Sequence, residues 1–241
     1  MKLIDHSCAS IEEDLALDEL MLARAESGDR GETLRFWSRE EYSVVLGRAG
    51  RTAVDCDTGA CERDGVRILR RISGGGTVLQ GPGCLNYSAV LSYSRDKDMR
   101  DINGSYRGIL GRVAEAFAGR GLGVEFFPVC DLALDGKKIS GNAQARKKDH
   151  FLHHGTFLVD LDIEKVSLYL KHPGAEPAYR KGRRHKDFLA NIPLSRDDIM
   201  ELVMEVFEPS GTIPGLASGE LEELGRLARE KYSLKDWNFA L

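Results

Sequence analysis

Ser10 followed three residues later by Glu13 has the form of a capping box, and Ile11, Leu15 and Leu22 then recur at helical spacing to about Ala25. Charged turns bound two short runs, Leu34 to Trp37 and Ser43 to Gly47, which read as strands; the second is β-branched. A short helix over Thr58 to Asp64 leads into a strand from Val66 to Arg71. Ser73, Gly74, Gly75 and Gly76 break the pattern before Val78 and Leu79 resume it, and Leu85 to Tyr93 alternates aromatic and aliphatic residues as a long strand does. Ile102, Tyr106, Ile109, Val113 and Phe117 mark a helix to about Ala118. Three strands are expected next: Val124 to Phe127, Leu132 to Leu134 with Lys138 to Ser140, and Phe151 to Asp160. Ser195 with Asp198 caps a helix whose apolar face is Ile199, Val203 and Phe207, and Leu221, Leu224 and Ala228 mark another.

Helices and strands mix without strict βαβ alternation. This predicts an α/β chain of the α+β type, with a mixed, mainly antiparallel sheet flanked by helices rather than a doubly wound parallel one. Pro209 to Gly215 is the best linker candidate, but only about 25 residues follow it, too few for an independent domain, so residues 1–241 read as a single domain. With 42% hydrophobic residues such a domain can build a real core.

Charge narrows the function. Against 38 acidic side chains stand 34 basic ones, a net of -4, so no overall field draws the protein to nucleic acid or to an anionic membrane. Asp5, Glu12, Glu13 and Asp14 interrupt the first residues before an apolar run of signal-peptide length develops, and no later run approaches membrane-spanning length; a cytoplasmic protein is expected. The five cysteines are odd in number and form no CxxC pair, which argues against a disulfide framework and a cysteine-rich zinc site.

Four stretches could carry chemistry. In Arg70-Arg71-Ile72-Ser73-Gly74-Gly75-Gly76-Thr77-Val78, three consecutive glycines inside a strand pattern give up packing, so something must approach the backbone closely. Unshielded N–H groups there can cradle a phosphate or carboxylate beside two arginines; a tight turn with two surface arginines is the equally open alternative. No GxGxxG fingerprint and no Walker-type phosphate loop occurs. Asp135-Gly136-Lys137-Lys138-Ile139-Ser140-Gly141-Asn142-Ala143 reads as a turn feeding a short strand that ends at another glycine. Strand alternation lets only one of its two lysines face a site. On composition alone a solvated hairpin tip is the commoner reading. His153-His154-Gly155-Thr156 leads into an apolar strand, where core or loop histidines are the default and no metal site is expected, because no carboxylate or cysteine recurs at ligand spacing. Tyr179 to Lys186 is densely basic, a solvated loop or a surface for acidic side chains or an anionic ligand.

Taken in this order, Arg70-Arg71-x-Ser73-Gly74-Gly75-Gly76-Thr77-Val78, Gly136-Lys137-Lys138-Ile139-Ser140-Gly141-Asn142-Ala143 and His153-His154-Gly155-Thr156 resemble the lipoate–protein ligase A family, as do Leu15 to Glu19 and Leu34 to Trp37. The resemblance implies the catalytic-domain fold of lipoate ligases, biotin ligases and class II tRNA synthetases. It implies an ATP- and magnesium-dependent enzyme that converts lipoate or octanoate to an acyl-AMP and passes the acyl group to a lysine of a lipoyl-domain or glycine-cleavage-H-like acceptor. By motif position Lys138 would be the catalytic group. Arg71, Ser73, Gly74, Gly75, Gly76, Thr77, Val78 and Leu79 would surround the acyl chain and adenylate, with Asn86, Asp131, Gly141, Ala143, His154, Gly155 and Thr156 as further binding residues.

The chain also departs from the family pattern. Gln80-Gly81 stands where a His-Asp pair is usual, and Cys130 precedes Asp131 where Asn-Asp is common. A small accessory domain is expected to be absent after Asn238, so that adenylation needs a separate partner protein. Cys130 keeps open an ATP-independent octanoyltransferase that takes octanoate from acyl carrier protein through a cysteine thioester. A non-catalytic lipoate-binding protein is the third reading.

Overall fold

A computed structural model of the protein describes residues 1–240. It begins with β1 (Lys2–Ile4) and α1 (Ile11–Ser27). The Ser10 side chain accepts from the Glu13 amide at the N-terminus of α1, and left-handed Gly28 stops it. There follow β2 (Thr33–Trp37), β3 (Ser43–Leu46), the short helices α2 (Thr52–Asp55) and α3 (Thr58–Arg63), β4 (Arg67–Arg70), β5 (Val78–Gln80) and β6 (Cys84–Ser92). The second half comprises α4 (Ile102–Gly119), β7 (Val124–Phe127), β8 (Asp131–Leu134), β9 (Lys137–Arg146), β10 (His150–Leu158), α5 (Ile163–Tyr169), α6 (His185–Phe188), α7 (Arg196–Phe207), β11 (Thr212–Ile213), α8 (Ser218–Leu227) and α9 (Lys235–Asn238). None of the described helices is long and apolar enough to cross a membrane.

Eight strands form one sheet in the order β11-β1-β2-β6-β10-β9-β8-β7, and β4-β3-β5 form a small second sheet. In the large sheet only the pairings of β1 with β2 and β11 are parallel; the remainder are antiparallel, as the irregular order of helices and strands predicts. One face is covered by α4 and α7, whose Ile109, Phe117, Ile199 and Phe207 pack with Tyr87 and Phe157 of the central strands. The other is covered by α1 and α8, where Leu15, Leu22 and Leu224 meet Val90 and Leu152. Strand alternation sends Tyr87 and Val90 to opposite faces, and both are fully buried because helices lie on both sides. Each such side chain contributes about 2 kcal/mol of burial. A third cluster, with Val44, Leu79 and Tyr169, joins the small sheet to α3 and α5.

Two expectations change. Pro209 to Gly215 is no linker: Thr212 and Ile213 pair with Leu3 and Ile4 and extend the sheet, an element too short to show alternation in sequence. Nor does β9 stop at Gly141; it runs to Arg146 in register with β10. A Cβ at Gly141 would lie 2.7 Å from Lys138 Nζ, so this glycine clears space for a neighbouring side chain instead of ending the strand.

Candidate active site

A cavity of about 640 Å³, within the range of small-molecule sites, is lined by the glycine-rich loop before β5, by β8, β9 and β10, and by the chain from α5 to α6. Leu79, Leu158, Leu161, Val166 and Leu170 make much of its wall apolar, while Asp55, Asp131 and Lys138 bring charge into it. Lys137 is exposed and Lys138 half-buried, as alternation at the start of β9 requires. The Lys138 ammonium lies 2.7 Å from Asp131 Oδ1, and the other carboxylate oxygen accepts from Tyr179 Oη at 2.8 Å.

The glycine loop is organised from behind. Arg71 is buried and donates Nε to Ser73 Oγ (2.9 Å), Nη1 to the Val45 carbonyl (3.2 Å), and Nη2 to the carbonyls of Gly74 (2.6 Å) and Gly76 (2.8 Å). In a trans peptide the C=O and the following N–H point oppositely, so the amides of Gly75 and Thr77 face away from the guanidinium. Both residues line the cavity, which gives the loop the form of an anion cradle. Gly75 adopts φ +86°, and a Cβ there would meet Arg71 Nη2 at 3.1 Å; the loop geometry needs glycine at this position. Burial brings the Arg71 pKa down to about 10, so it remains a cation at neutral pH. Arg70 points elsewhere. Its guanidinium serves the carbonyls of Gly47, Arg48, Gly50, Trp237 and Asn238, fastening α9 to the body, so neither arginine is the surface group that a bare turn would present.

Gly75, Gly76, Thr77, Val78, Leu79, Asp131, Lys138, Gly141 and Thr156 all line the cavity, together with Cys130. Arg71, Ser73, Gly74, Asn86, Ala143, His154 and Gly155 are not part of that wall. Several of them form a buried support. Ser73 Oγ lies 2.6 Å from His154 Nε2, and His154 Nδ1 is 3.4 Å from Asp18 on α1. Asn86 exchanges hydrogen bonds with Gln80, whose amide also donates to Thr156, so the Gln80 departure supplies a polar clasp between β5, β6 and β10. At Gly155 a Cβ would strike Asn142 and Tyr87.

Burial first, and Asp131's charge second, raise the Cys130 thiol above its ordinary pKa, while Lys138, the Asn142 backbone and Arg71 pull the other way. The thiol is therefore protonated at neutral pH. Burial holds His153 neutral, with a pKa of about 3. Its ring lies 2.9 Å from Tyr87 Oη, which itself donates to Asn142, and 3.3 Å from the Gln144 amide nitrogen, making it a core histidine. No group of three or more His, Cys, Asp or Glu placed to hold a metal occurs among the described residues.

Sequence reasoning missed the walls supplied by Asp55, by Pro173 to Pro177, and by Phe188 and Leu189. These segments lack periodicity long enough to read. The basic stretch was visible, but it is only partly solvated: Arg180 and Arg183 lie over the Phe188 ring, 4.8 and 5.1 Å from its centroid, and donate to backbone carbonyls.

Residues 10–208 match the family model described as the lipoyl protein ligase A/B catalytic domain. A probable lipoate-protein ligase A of Mycoplasma pneumoniae is 29% identical, the match covering 93% of this chain and 67% of the relative. The octanoyltransferase LipM of Carboxydothermus hydrogenoformans is also 29% identical, with 99% and 98% covered. Among solved structures, a lipoate-protein ligase A bound with ATP superposes with a TM-score of 0.83 at 25% identity, covering 100% of this chain and 98% of that one. A bipartite lipoate protein ligase from Thermoplasma acidophilum, studied with its E2 lipoyl domain, gives 0.82 at 26% identity, covering 100% and 96%. With the family match spanning most of the chain, the protein belongs to the lipoyl protein ligase A/B catalytic-domain family of enzymes.

Proposed function

We propose that the protein activates lipoate or octanoate with ATP and transfers the acyl group to a lysine of a lipoyl-type acceptor domain. The observation that carries this reading is the Lys138 ammonium in the same cavity wall as the Gly75–Thr77 cradle, an arrangement suited to an acyl phosphate. A carboxylate oxygen of the acid attacks the α-phosphorus of ATP and releases pyrophosphate. The acceptor amine then attacks the acyl carbonyl, loses a proton and releases AMP. Lys138 neutralises charge growing on oxygen in both steps, preorganised stabilisation worth on the order of 3 kcal/mol. Asp55 is a wall carboxylate that would help hold a magnesium ion arriving with the phosphates, where it would offset their charge, while both Asp131 oxygens are committed to Lys138 and Tyr179. The Thermoplasma bipartite ligase supports a lipoyl-domain acceptor and a separate accessory protein.

A second reading, ATP-independent octanoyl transfer, is favoured by near end-to-end similarity to the octanoyltransferase LipM and by Cys130 in the wall. The half-buried thiol, raised in pKa and therefore protonated, weighs against it. Mass spectrometry of an acceptor lipoyl domain decides. Acylation by lipoate only when ATP is present, with a candidate accessory protein added in parallel, is the expected result. Acylation from octanoyl-acyl carrier protein without ATP would overturn it.

A further inference from the structure

The structure assigns Tyr179 as a positioning residue for Lys138: its hydroxyl clamps the free oxygen of Asp131, so that the carboxylate holds the lysine ammonium at one point of the cavity wall. This deepens the reading of the site given above and rests on it for the chemistry, though not for the geometry.

Asp131 is buried and has two oxygens. Oδ1 takes Lys138 Nζ at 2.7 Å and Oδ2 accepts from Tyr179 Oη at 2.8 Å. A carboxylate held at one oxygen swings about its terminal torsion, and a lysine paired with it follows; held at both, it presents a fixed edge. The Lys138 side chain is confined from below as well, because it occupies the space a Cβ on Gly141 would take. An ammonium fixed in this way costs little reorganisation when charge develops on a reacting oxygen. Only one of its three donors faces Asp131, leaving the others for a ligand.

Tyr179 itself does not line the cavity. Its ring stacks on Phe127 at 4.4 Å and tilts against Phe188 at 5.1 Å. Arg183 ties the Tyr179 carbonyl (2.8 Å) to the β8–β9 hairpin at Gly136 (3.0 Å). Burial, and then the Asp131 charge, raise the phenol far above its usual range, so it remains a donor at every working pH. The segment bearing it also supplies Pro173 to Pro177 and Arg180 to the wall. The segment that closes this side of the cavity thus also carries the hydroxyl that holds Asp131.

Tyr179→Phe keeps the ring and removes the donor. Trace labelling with acetic anhydride, read by peptide mass spectrometry with exposed Lys137 as internal reference, reports how firmly Lys138 is held. Labelling of Lys138 relative to Lys137 should rise about threefold in Tyr179→Phe and in Asp131→Asn, with no further rise in the double variant, because the two act through one contact. Phe127→Leu, which loosens the stack but keeps the hydroxyl, should leave the ratio unchanged. In steady-state ligation, Tyr179→Phe should lower kcat about tenfold with KM for lipoate and ATP nearly constant, as expected for a group that acts on the transition state alone. An unchanged ratio in a folded Tyr179→Phe protein, a ratio that rises equally in Phe127→Leu, or effects additive with Asp131→Asn would each overturn the assignment. Should the wild-type protein ligate nothing, the functional reading falls, while the labelling ratio still decides the clamp.

Discussion

At the scale of single residues, the two adjacent lysines of β9 test the site most directly. Lys138 contributes little to the core, yet it carries the cation beside Asp131 in the cavity wall, while Lys137 is exposed. Lys138→Ala should abolish acyl transfer in a protein that still folds, with the thermal midpoint lowered because buried Asp131 loses its cation, and Lys137→Ala should be mild. Equal losses in a mass-spectrometric transfer assay would remove Lys138 from its role. Cys130 is the second test. A half-buried thiol with a raised pKa is a poor nucleophile, and a mixed anhydride needs none. Cys130→Ser should keep most ATP-dependent lipoylation, and the wild-type enzyme should carry no acyl mass after exposure to octanoyl-acyl carrier protein. An octanoyl adduct mapped to Cys130, with ATP-independent transfer lost in the serine variant, would establish the transferase instead.

At the scale of elements, the glycine loop is a backbone device held by one guanidinium. Valine at position 75 meets two obstacles, φ of +86° and Arg71 Nη2 at 3.1 Å from its Cβ. Gly75→Val should cost about 2 kcal/mol of stability. It should also weaken a non-hydrolysable lipoyl-adenylate analogue at least about tenfold by calorimetry, because displacing Arg71 releases the carbonyls that turn the Gly75 and Thr77 amides outward. Unchanged affinity in a folded variant would show that the loop is not the ligand cradle. The capping box of α7, with Ser195 and Asp198 exchanging hydrogen bonds, lies apart from this cavity, and Ser195→Ala should cost about 1 kcal/mol in urea unfolding with activity retained.

Across the whole molecule, buried His153 links stability to pH. Its Nε2–H donates to Tyr87 Oη, whose own proton is committed to Asn142, and its Nδ1 accepts from the Gln144 amide, so an added proton on Nδ1 would face a donor. The folded pKa of about 3 lies below the ordinary 6.5. Between these values the unfolded chain binds a proton that the folded one refuses. This contribution is thus fully present above about pH 6.5 and is lost as pH falls toward 3, at up to about 1.4 kcal/mol per unit. Denaturant titrations at several pH values should show His153→Gln with a flatter acid limb than the parent; parallel limbs would mean that another group governs the slope.

Long periodic segments were legible without coordinates. The apolar stripes of α1, α4 and α7 and the alternation in β6 and β10 depend on neighbours within a few residues, and local geometry alone dictates them. The three motifs were legible only together, through their order and its resemblance to a known family; the residues alone left the glycine loop open and favoured a solvated hairpin tip for the two lysines and core or loop positions for the histidines. What required the folded chain was non-local: Asp131 meets Tyr179 across 48 residues of sequence, β11 finds β1 across most of the chain, and Arg71 turns behind its loop while Arg70 turns toward α9. Composition shows only that these groups are polar. Burial decides the rest, because a polar group taken out of water must find a partner wherever the fold brings one within reach.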